Sequence, residues 1–250
     1  MFEKQFELRY FEMNKHGEAS PTTILTLLEE TASDHCSLIY HSLFDLLKQN
    51  IGWVLVAGVL KIDRYPKYKE KITIKTWLSK YALIKGTREN IIYDEQGGII
   101  GRAKGLWVFF DINRRRPVQI YEDIKEKWSS DPEESIIYNL TTKLKQIGAA
   151  KYIREFQIHR FDIDMNLHVS NIKYLNWVLE TMPDEIMDNC YLHLIEGRFL
   201  SEAKLGNTIV SYTEPETLKN NFDHMIKVKG NNQVCATAKT IWKERTGKYS

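Results

Sequence analysis

Cysteine is scarce in this 250-residue chain: Cys36, Cys190 and Cys235 are odd in number, far apart and never in a Cys-x-x-Cys pair. A disulfide framework and a cysteine-bound zinc are therefore not expected. No run approaches the ~18–20 apolar residues of a membrane span. The opening MFEKQFELRYFEMN has no basic segment followed by an apolar stretch, so a secretory signal is not expected and the chain reads as cytoplasmic. Charge excess is missing too: 35 basic against 33 acidic residues leave a net charge of +2, which makes no case for nucleic acid. Gly97-Gly98 is a turn without Gly-x-Gly-x-x-Gly or Walker spacing. Neither a cofactor nor a metal is expected. With 43% hydrophobic and 27% charged residues the chain is not disordered. A chain of this length buries roughly 70–75% of its unfolded surface and needs no staple.

What is present is one unit used twice. RYFEMNKHGEASPTTILTLLEETAS near the start resembles RFDIDMNLHVSNIKYLNWVLETMP past the middle. Glu12-Met13-Asn14-Lys15-His16 matches Asp164-Met165-Asn166-Leu167-His168 at an offset of 152, and Glu30-Thr31 matches Glu180-Thr181 at an offset of 150. Each segment leads into an apolar stripe at helical spacing. In the first half it runs Ile24, Leu27, Leu28, Thr31 behind Ser20-Pro21; in the second, Ile172, Leu175, Leu179, Met182, stopped by Pro183. Strand-like runs follow at Val54–Ile62, Ile72–Leu78, Thr87–Tyr93 and Ile99–Asp111. They recur at Tyr152–Asp162, Tyr191–Leu200, Thr208–Thr213, Phe222–Lys229 and Gln233–Lys243. Asp94–Gly98 and Gly230-Asn231-Asn232 are hairpin turns, and Asp34–Gln49 reads as an added helix. The expected organisation is a unit over 1–130, a linker with a short helix over 131–150, and a second unit over 151–250. One helix per long antiparallel sheet is α+β.

The densest polar string is Asp164-Met165-Asn166-Leu167-His168. In extended backbone Asp164, Asn166 and His168 share one side. Ser170 or Asn171 then caps a helix whose first N–H groups, those of Val169, Ser170 and Asn171, suit a developing oxyanion. Such strings are also common as plain turns and caps; together with a helix end, the set suits acyl transfer or hydrolysis.

NLHVSNIKYLNWVLE resembles the signature of the fatty acyl–acyl-carrier-protein thioesterases, Asp-x-Asn-x-His-Val-x-Asn-x-x-Tyr-x-x-Trp. Asp164, Asn166, His168, Val169, Asn171, Tyr174 and Trp177 stand in register with it. WVLVAGVLKIDRYPKYKEKITIKTWLSK and GRAKGLWVFFDINRRRPVQI in the first half are similar to family segments as well. The resemblance implies a tandem hot-dog fold, catalytic residues in the second unit and an acyl-chain pocket supplied largely by the first. It casts His16 as a decayed duplicate or structural residue. It also implies a catalytic Glu202, 34 positions after His168 in GRFLSEAKLGN. Where the family has a Cys next to that Glu, this chain has Ala203, so a Cys–His–Asn mechanism has no nucleophile there. Two routes stay open: His168 and Glu202 activate water while Asp164 and Asn166 orient them, or Asp164 attacks directly through a mixed anhydride. Arg114-Arg115-Arg116, with Lys61, Arg64, Lys67, Lys69 and Lys71, offers docking to an acidic carrier protein, or else solvated loop charge. Trp53, Trp77, Trp107 and Trp177 read as core. The implied activity is hydrolysis of acyl-acyl carrier protein by a monomer or homodimer. An acyl-CoA thioesterase, a hot-dog dehydratase and a non-catalytic acyl-thioester binding protein are the alternatives.

Overall fold

The computed structural model describes residues 1–38, 42–128, 131–145, 147–164, 168–231 and 233–245. The chain divides into two compact units, Met1–Leu140 and Thr141–Ser250. Unit 1 runs β1 (Phe2–Glu7), α1 (Pro21–Ser37), α2 (Leu43–Lys48), β2 (Ile51–Ile62), β3 (Lys71–Tyr81), β4 (Lys85–Tyr93), β5 (Ile99–Asp111), a two-residue β6 (Arg116–Pro117) and α3 (Glu122–Lys127). Unit 2 runs β7 (Tyr152–Gln157), α4 (Asn171–Glu180), α5 (Asp184–Asn189), β8 (Cys190–Phe199), β9 (Thr208–Pro215), β10 (Asn221–Val228) and β11 (Val234–Glu244). Neighbouring strands follow the order β1-β3-β4-β5-β2 in unit 1 and β7-β9-β10-β11-β8 in unit 2. All the pairings within each are antiparallel, so the two topologies are the same.

Local chemistry sets these elements. Ser20 accepts the Thr23 N–H at 3.0 Å and Pro21 takes the first helical position, which starts α1. Ile24, Leu27, Leu28 and Thr31 are its buried stripe, as the spacing predicts. In the hairpin at Asp94–Gly98 the Asp94 carboxylate accepts the Gly98 N–H at 2.7 Å, and Gly97 takes φ 79°, which a glycine adopts without strain. In unit 2, Tyr174, Trp177 and Val178 of α4 pack with Ile209, Ile226, Val228, Ala236 and Ala238 from the sheet.

Four expectations need correction. From the first strand to the start of the helix the repeat is in register at 150: α1 begins at Pro21 and α4 at Asn171, and the bridge Met13–Ala19 repeats as Ile163–Val169. The counterpart of His168 is therefore Glu18, not His16, because the Met-Asn pairs that suggested 152 coincide only in letters. The strand expected over Tyr152–Asp162 ends at Gln157, because the Asp162 carboxylate accepts the His159 N–H at 2.8 Å and closes a 3-10 turn over Arg160–Asp162. The helix expected within Asp34–Gln49 is two: α1 continues to Ser37 and α2 starts behind the Ser42 cap.

The fourth concerns the segment 131–150, whose described residues form no helix; the short helix lies earlier, at Glu122–Lys127. The stretch up to Leu140 instead seals a buried polar layer of unit 1. The Ser135 N–H and hydroxyl reach Glu89 at 3.1 and 2.7 Å, and the Trp77 indole donates to the Glu133 carbonyl at 2.9 Å. Glu89 itself is fully buried and lies 3.5 Å from the Lys104 ammonium. Backbone held at such points is not available to a helical ladder.

All three cysteines are free and buried. A fully buried His224 on β10 sits between two hydroxyls, Thr213 at 2.9 Å and Thr240 at 2.8 Å. Burial lowers its pKa to about 3. The unfolded histidine titrates near ~6.5, so between those values only the unfolded chain binds the proton, and stability falls as pH drops. The contribution is at most about 1.4 kcal/mol per pH unit. Replacing His224 by Gln is expected to flatten the acid limb of stability between about pH 6.5 and 4.5, read by urea unfolding at a series of pH values. Parallel limbs in the two proteins would contradict this.

Candidate active site

The site is built on the loop that enters α4. The Asp164 N–H donates to the His168 carbonyl at 2.8 Å and the Ser170 N–H to the Asp162 carbonyl at 3.0 Å. The Asp164 carboxylate also accepts the His168 N–H, at 3.3 Å. This closed turn presents the His168 ring at the helix N-terminus, with Nε2 3.3 Å from Glu202 Oε1. His168 is 21% and Glu202 36% exposed, so the pair is open to a small reactant. The structure thus brings Asp164, His168 and Glu202 together. Asn166 lies outside the described residues.

Three N–H groups were expected to serve an oxyanion, and they differ. That of Ser170 is already given to Asp162 and is not available. Those of Val169 and Asn171 have no acceptor among the described residues. Unit 1 supplies the contrast: the equivalent of Val169 is Ala19, whose N–H donates to the Pro66 carbonyl at 2.8 Å. Likewise Ser20 caps α1 with its hydroxyl, while Ser170 makes no side-chain cap on α4. The N–H that unit 1 satisfies at Ala19 has no acceptor among the described residues at Val169, and Asn171 carries an N–H where unit 1 has Pro21.

Glu202 is held from two sides by residues without a sequence signal for that role. The Gln233 amide donates to the Glu202 carbonyl at 2.8 Å and to Ser201 Oγ at 3.0 Å. The Tyr174 hydroxyl accepts the Ala203 N–H at 3.0 Å. Tyr174 is visible in the sequence only as a member of the family signature, and Gln233 stands 31 residues from Glu202 across a hairpin. Burial pushes the Tyr174 hydroxyl above the ordinary phenol value, so it stays protonated.

None of the three thiols is activated. Ala203 is buried, and burial raises the pKa of Cys36, Cys190 and Cys235 alike, the opposite of an activated nucleophile. Among the described residues no group of three or more His, Cys, Asp or Glu side chains is placed to hold a metal ion. No helix among them is long and apolar enough to cross a membrane.

Arg114, Arg115 and Arg116 are exposed at the β5–β6 turn. The other expected basic residues are not beside them. Lys61 pairs with Arg102 at one end of β5, whereas Asp111, next to the arginines, pairs with Ile51 at the other. Nine residues of strand separate the two ends, roughly 30 Å at ~3.3 Å per residue. Arg64 is moreover engaged by Glu70 at 2.6 Å and Asp94 at 3.2 Å. The tryptophans divide: Trp77 and Trp177 are core, while Trp53 and Trp107 stay half-buried.

Comparison with known proteins identifies the family. Residues 1–128 match the acyl-ACP thioesterase N-terminal domain and residues 145–244 the acyl-ACP thioesterase C-terminal domain. The chain is 24% identical to oleoyl-acyl carrier protein thioesterase 2 of Arabidopsis thaliana, over 99% of this chain and 78% of that one. It is also 24% identical to a palmitoyl-acyl carrier protein thioesterase of Cuphea hookeriana, over 99% of this chain and 63% of the relative. Among solved structures, an acyl-ACP thioesterase from Bacteroides thetaiotaomicron superposes with a TM-score of 0.86 at 22% identity, covering 96% of this chain and 97% of that one. The 12:0-ACP thioesterase from Umbellularia californica gives 0.86 at 19% identity, covering 98% and 97%. These two share the tandem hot-dog fold seen here. With both family domains matched in order along almost its whole length, the chain belongs to the acyl-ACP thioesterase family and is a thioester hydrolase.

Proposed function

We propose that unit 2 carries the chemistry of acyl-acyl carrier protein hydrolysis, with His168 and Glu202 as the pair that activates water, and that unit 1 supplies the acyl-chain pocket. The observation that carries this reading is the 3.3 Å approach of His168 Nε2 to Glu202 Oε1, beside an uncapped helix end with open Val169 and Asn171 N–H groups. Two basic atoms so close give a water two acceptors as its oxygen bonds to the thioester carbon. The carbonyl oxygen gains charge within reach of the open N–H groups. The carbon–sulfur bond then breaks, and the proton taken from water passes through the His168–Glu202 pair to the departing thiolate. Fatty acid and free carrier thiol are the products, which ends elongation of the chain. Asp164 is a positioning residue here, since its carboxylate is spent on the His168 N–H; Asn166 completes the polar set that the family resemblance implies.

The half-buried Trp53, Leu55 and Trp107 on the inner face of unit 1 support its role as the acyl pocket. The family and the named substrates of the relatives support acyl carrier protein over CoA. Arg114, Arg115 and Arg116, exposed together on one turn, are the docking point we assign to its acidic surface. A cytoplasmic location suits that substrate.

His168→Ala and Glu202→Gln are each expected to lower kcat by about 10²–10⁴-fold at an unchanged unfolding midpoint. The measurement is hydrolysis of acyl carrier protein loaded with chains of four to eighteen carbons, beside the same chains on CoA. Activity retained by the His168 variant would remove that residue from the site, and preference for CoA would remove the carrier-protein assignment. A single turnover in oxygen-18 water should place label in the fatty acid and none in Asp164; label in Asp164 would establish direct attack instead.

Tyr174→Phe leaves the buried Ala203 N–H without its acceptor, a loss of about 1–3 kcal/mol. If Tyr174 positions Glu202, kcat falls by roughly tenfold while KM holds, since only the geometry of attack is disturbed. A stability loss with kcat intact would reduce Tyr174 to packing.

A further inference from the structure

The interior of unit 1 holds a charge without a counter-charge. Arg88 on β4 is 6% exposed, and among the described residues no carboxylate lies within ion-pair distance of it. Its guanidinium reaches only neutral groups: His35 Nδ1 at 3.1 Å, Thr76 Oγ1 at 3.2 Å and the Cys36 sulfur at 3.9 Å. The carboxylate next to it in sequence, Glu89, belongs to the opposite face of the sheet, with Ser79, Lys104 and Ser135. Because Arg has no acceptor, His35 Nδ1 accepts from it, and the histidine proton sits on Nε2. Burial and the adjacent guanidinium hold His35 neutral, with a pKa of about 4, so that ring brings no compensating charge.

Among the described residues, two further polar groups of this face have no partner. The Trp128 ring lies 5.5 Å from the Arg88 guanidinium carbon, and its indole N–H is buried with no acceptor. Asn90, two residues along the same strand and on the same face, has a fully buried carbonyl oxygen with no donor. A core that seals such groups without partners is costly, and each calls for an occupant. The rest of the inner face is apolar: Leu78 pairs with Arg88 across the strands, and Trp53, Leu55 and Trp107 remain half-buried, so this face is not sealed.

We propose that the interior of unit 1 binds the carboxylate of an aliphatic chain, with Arg88 and the Trp128 N–H as its donors and the aromatic inner face along its methylenes. A neutral hydroxyl or carbonyl would satisfy the hydrogen bonds and leave the cation uncompensated; only an anion answers both. That the chain is a fatty one rests on the thioesterase reading; the carboxylate site itself does not. Two sources carry this chemistry: a free fatty acid, or an acyl thioester with a second carboxylate at its far end.

The test uses the full chain and measures binding rather than turnover, so it stands apart from the catalytic assignment. Dodecanoate is expected to bind much more tightly than dodecanol, and Arg88→Met to weaken dodecanoate on the order of 100-fold while leaving dodecanol unchanged. Arg88→Met should also raise the Tm of the unliganded protein, because it removes a buried uncompensated charge. Trp128→Phe keeps the ring, deletes the N–H and is expected to weaken dodecanoate by roughly tenfold, which holds the test open if the arginine variant fails to fold. Equal binding of dodecanoate and dodecanol, or dodecanoate binding unchanged in the variants, would mean the groups meet water alone and would overturn the proposal. To separate the sources, hydrolysis of the mono-pantetheine thioester of dodecanedioate is compared with that of dodecanoyl-pantetheine. A preference for the dicarboxylic chain that Arg88→Met reverses identifies a substrate tip. Inhibition by dodecanoate that the same variant relieves, without such a preference, identifies retained product.

Discussion

The closed turn before each helix is the constraint on which the rest of the molecule depends. In unit 1 the Asn14 N–H meets the Glu18 carbonyl at 2.7 Å; in unit 2 the Asp164 N–H meets the His168 carbonyl at 2.8 Å. The next bond of each turn, Ser20 to Glu12 and Ser170 to Asp162, is 3.0 Å in both. These backbone bonds decide which residue stands at the helix N-terminus, whatever its side chain. Asn14 and Asp164 then play the same part, their side-chain oxygens accepting N–H groups within the turn. One scaffold position therefore carries Glu18 in one copy and His168 in the other, and chemistry follows from the side chain placed there.

Much of this was legible in the sequence because it is local. The stripe Ile24, Leu27, Leu28, Thr31, the Leu175 and Leu179 positions of the second stripe, the Asp94–Gly98 turn and the polar string at Asp164 all act over a few residues, where periodicity and turn chemistry speak directly. The misreading of register came from the same source: Met13-Asn14 and Met165-Asn166 look alike in print, but only hydrogen bonds show that Asn14 answers to Asp164. The opposite ends reached by Lys61 and Arg114 were hidden for a related reason. Lys61 on β2 and Arg114 after β5 fall at opposite ends of one long strand pair, and register with the neighbouring strand is needed to see it.

What the sequence withheld is long-range. Glu202 came into view only through family resemblance; Tyr174 came the same way without its role, and Gln233 not at all. Gln233 reaches it from the far side of a hairpin, and Tyr174 from a helix that precedes it by 28 residues. No spacing rule links such positions, because the link is made by the fold of β8, β9 and β11 around α4. The Ala203 substitution is intelligible at the same level. Its N–H is what the Tyr174 hydroxyl needs, and a backbone donor is indifferent to whether the side chain is Ala or Cys.

Duplication explains how a stable protein can keep unsatisfied groups in its interior. Every buried polar group left open lowers stability by a sizeable part of the small margin a domain has. The two copies leave different groups open. Unit 1 closes its turn completely, with Ala19 bonded to Pro66 and Ser20 capping α1, and keeps its uncompensated groups at Arg88, Asn90 and Trp128. Unit 2 holds Glu196 with Arg198 as a buried pair and seats His224 between two hydroxyls; its open groups among the described residues are the neutral Ser211 hydroxyl and the Val169 and Asn171 N–H groups. A single unit asked to do both would carry both deficits in one small core. Under the proposed assignment of binding to unit 1 and bond-breaking to unit 2, division between copies confines each unit's open groups to one task.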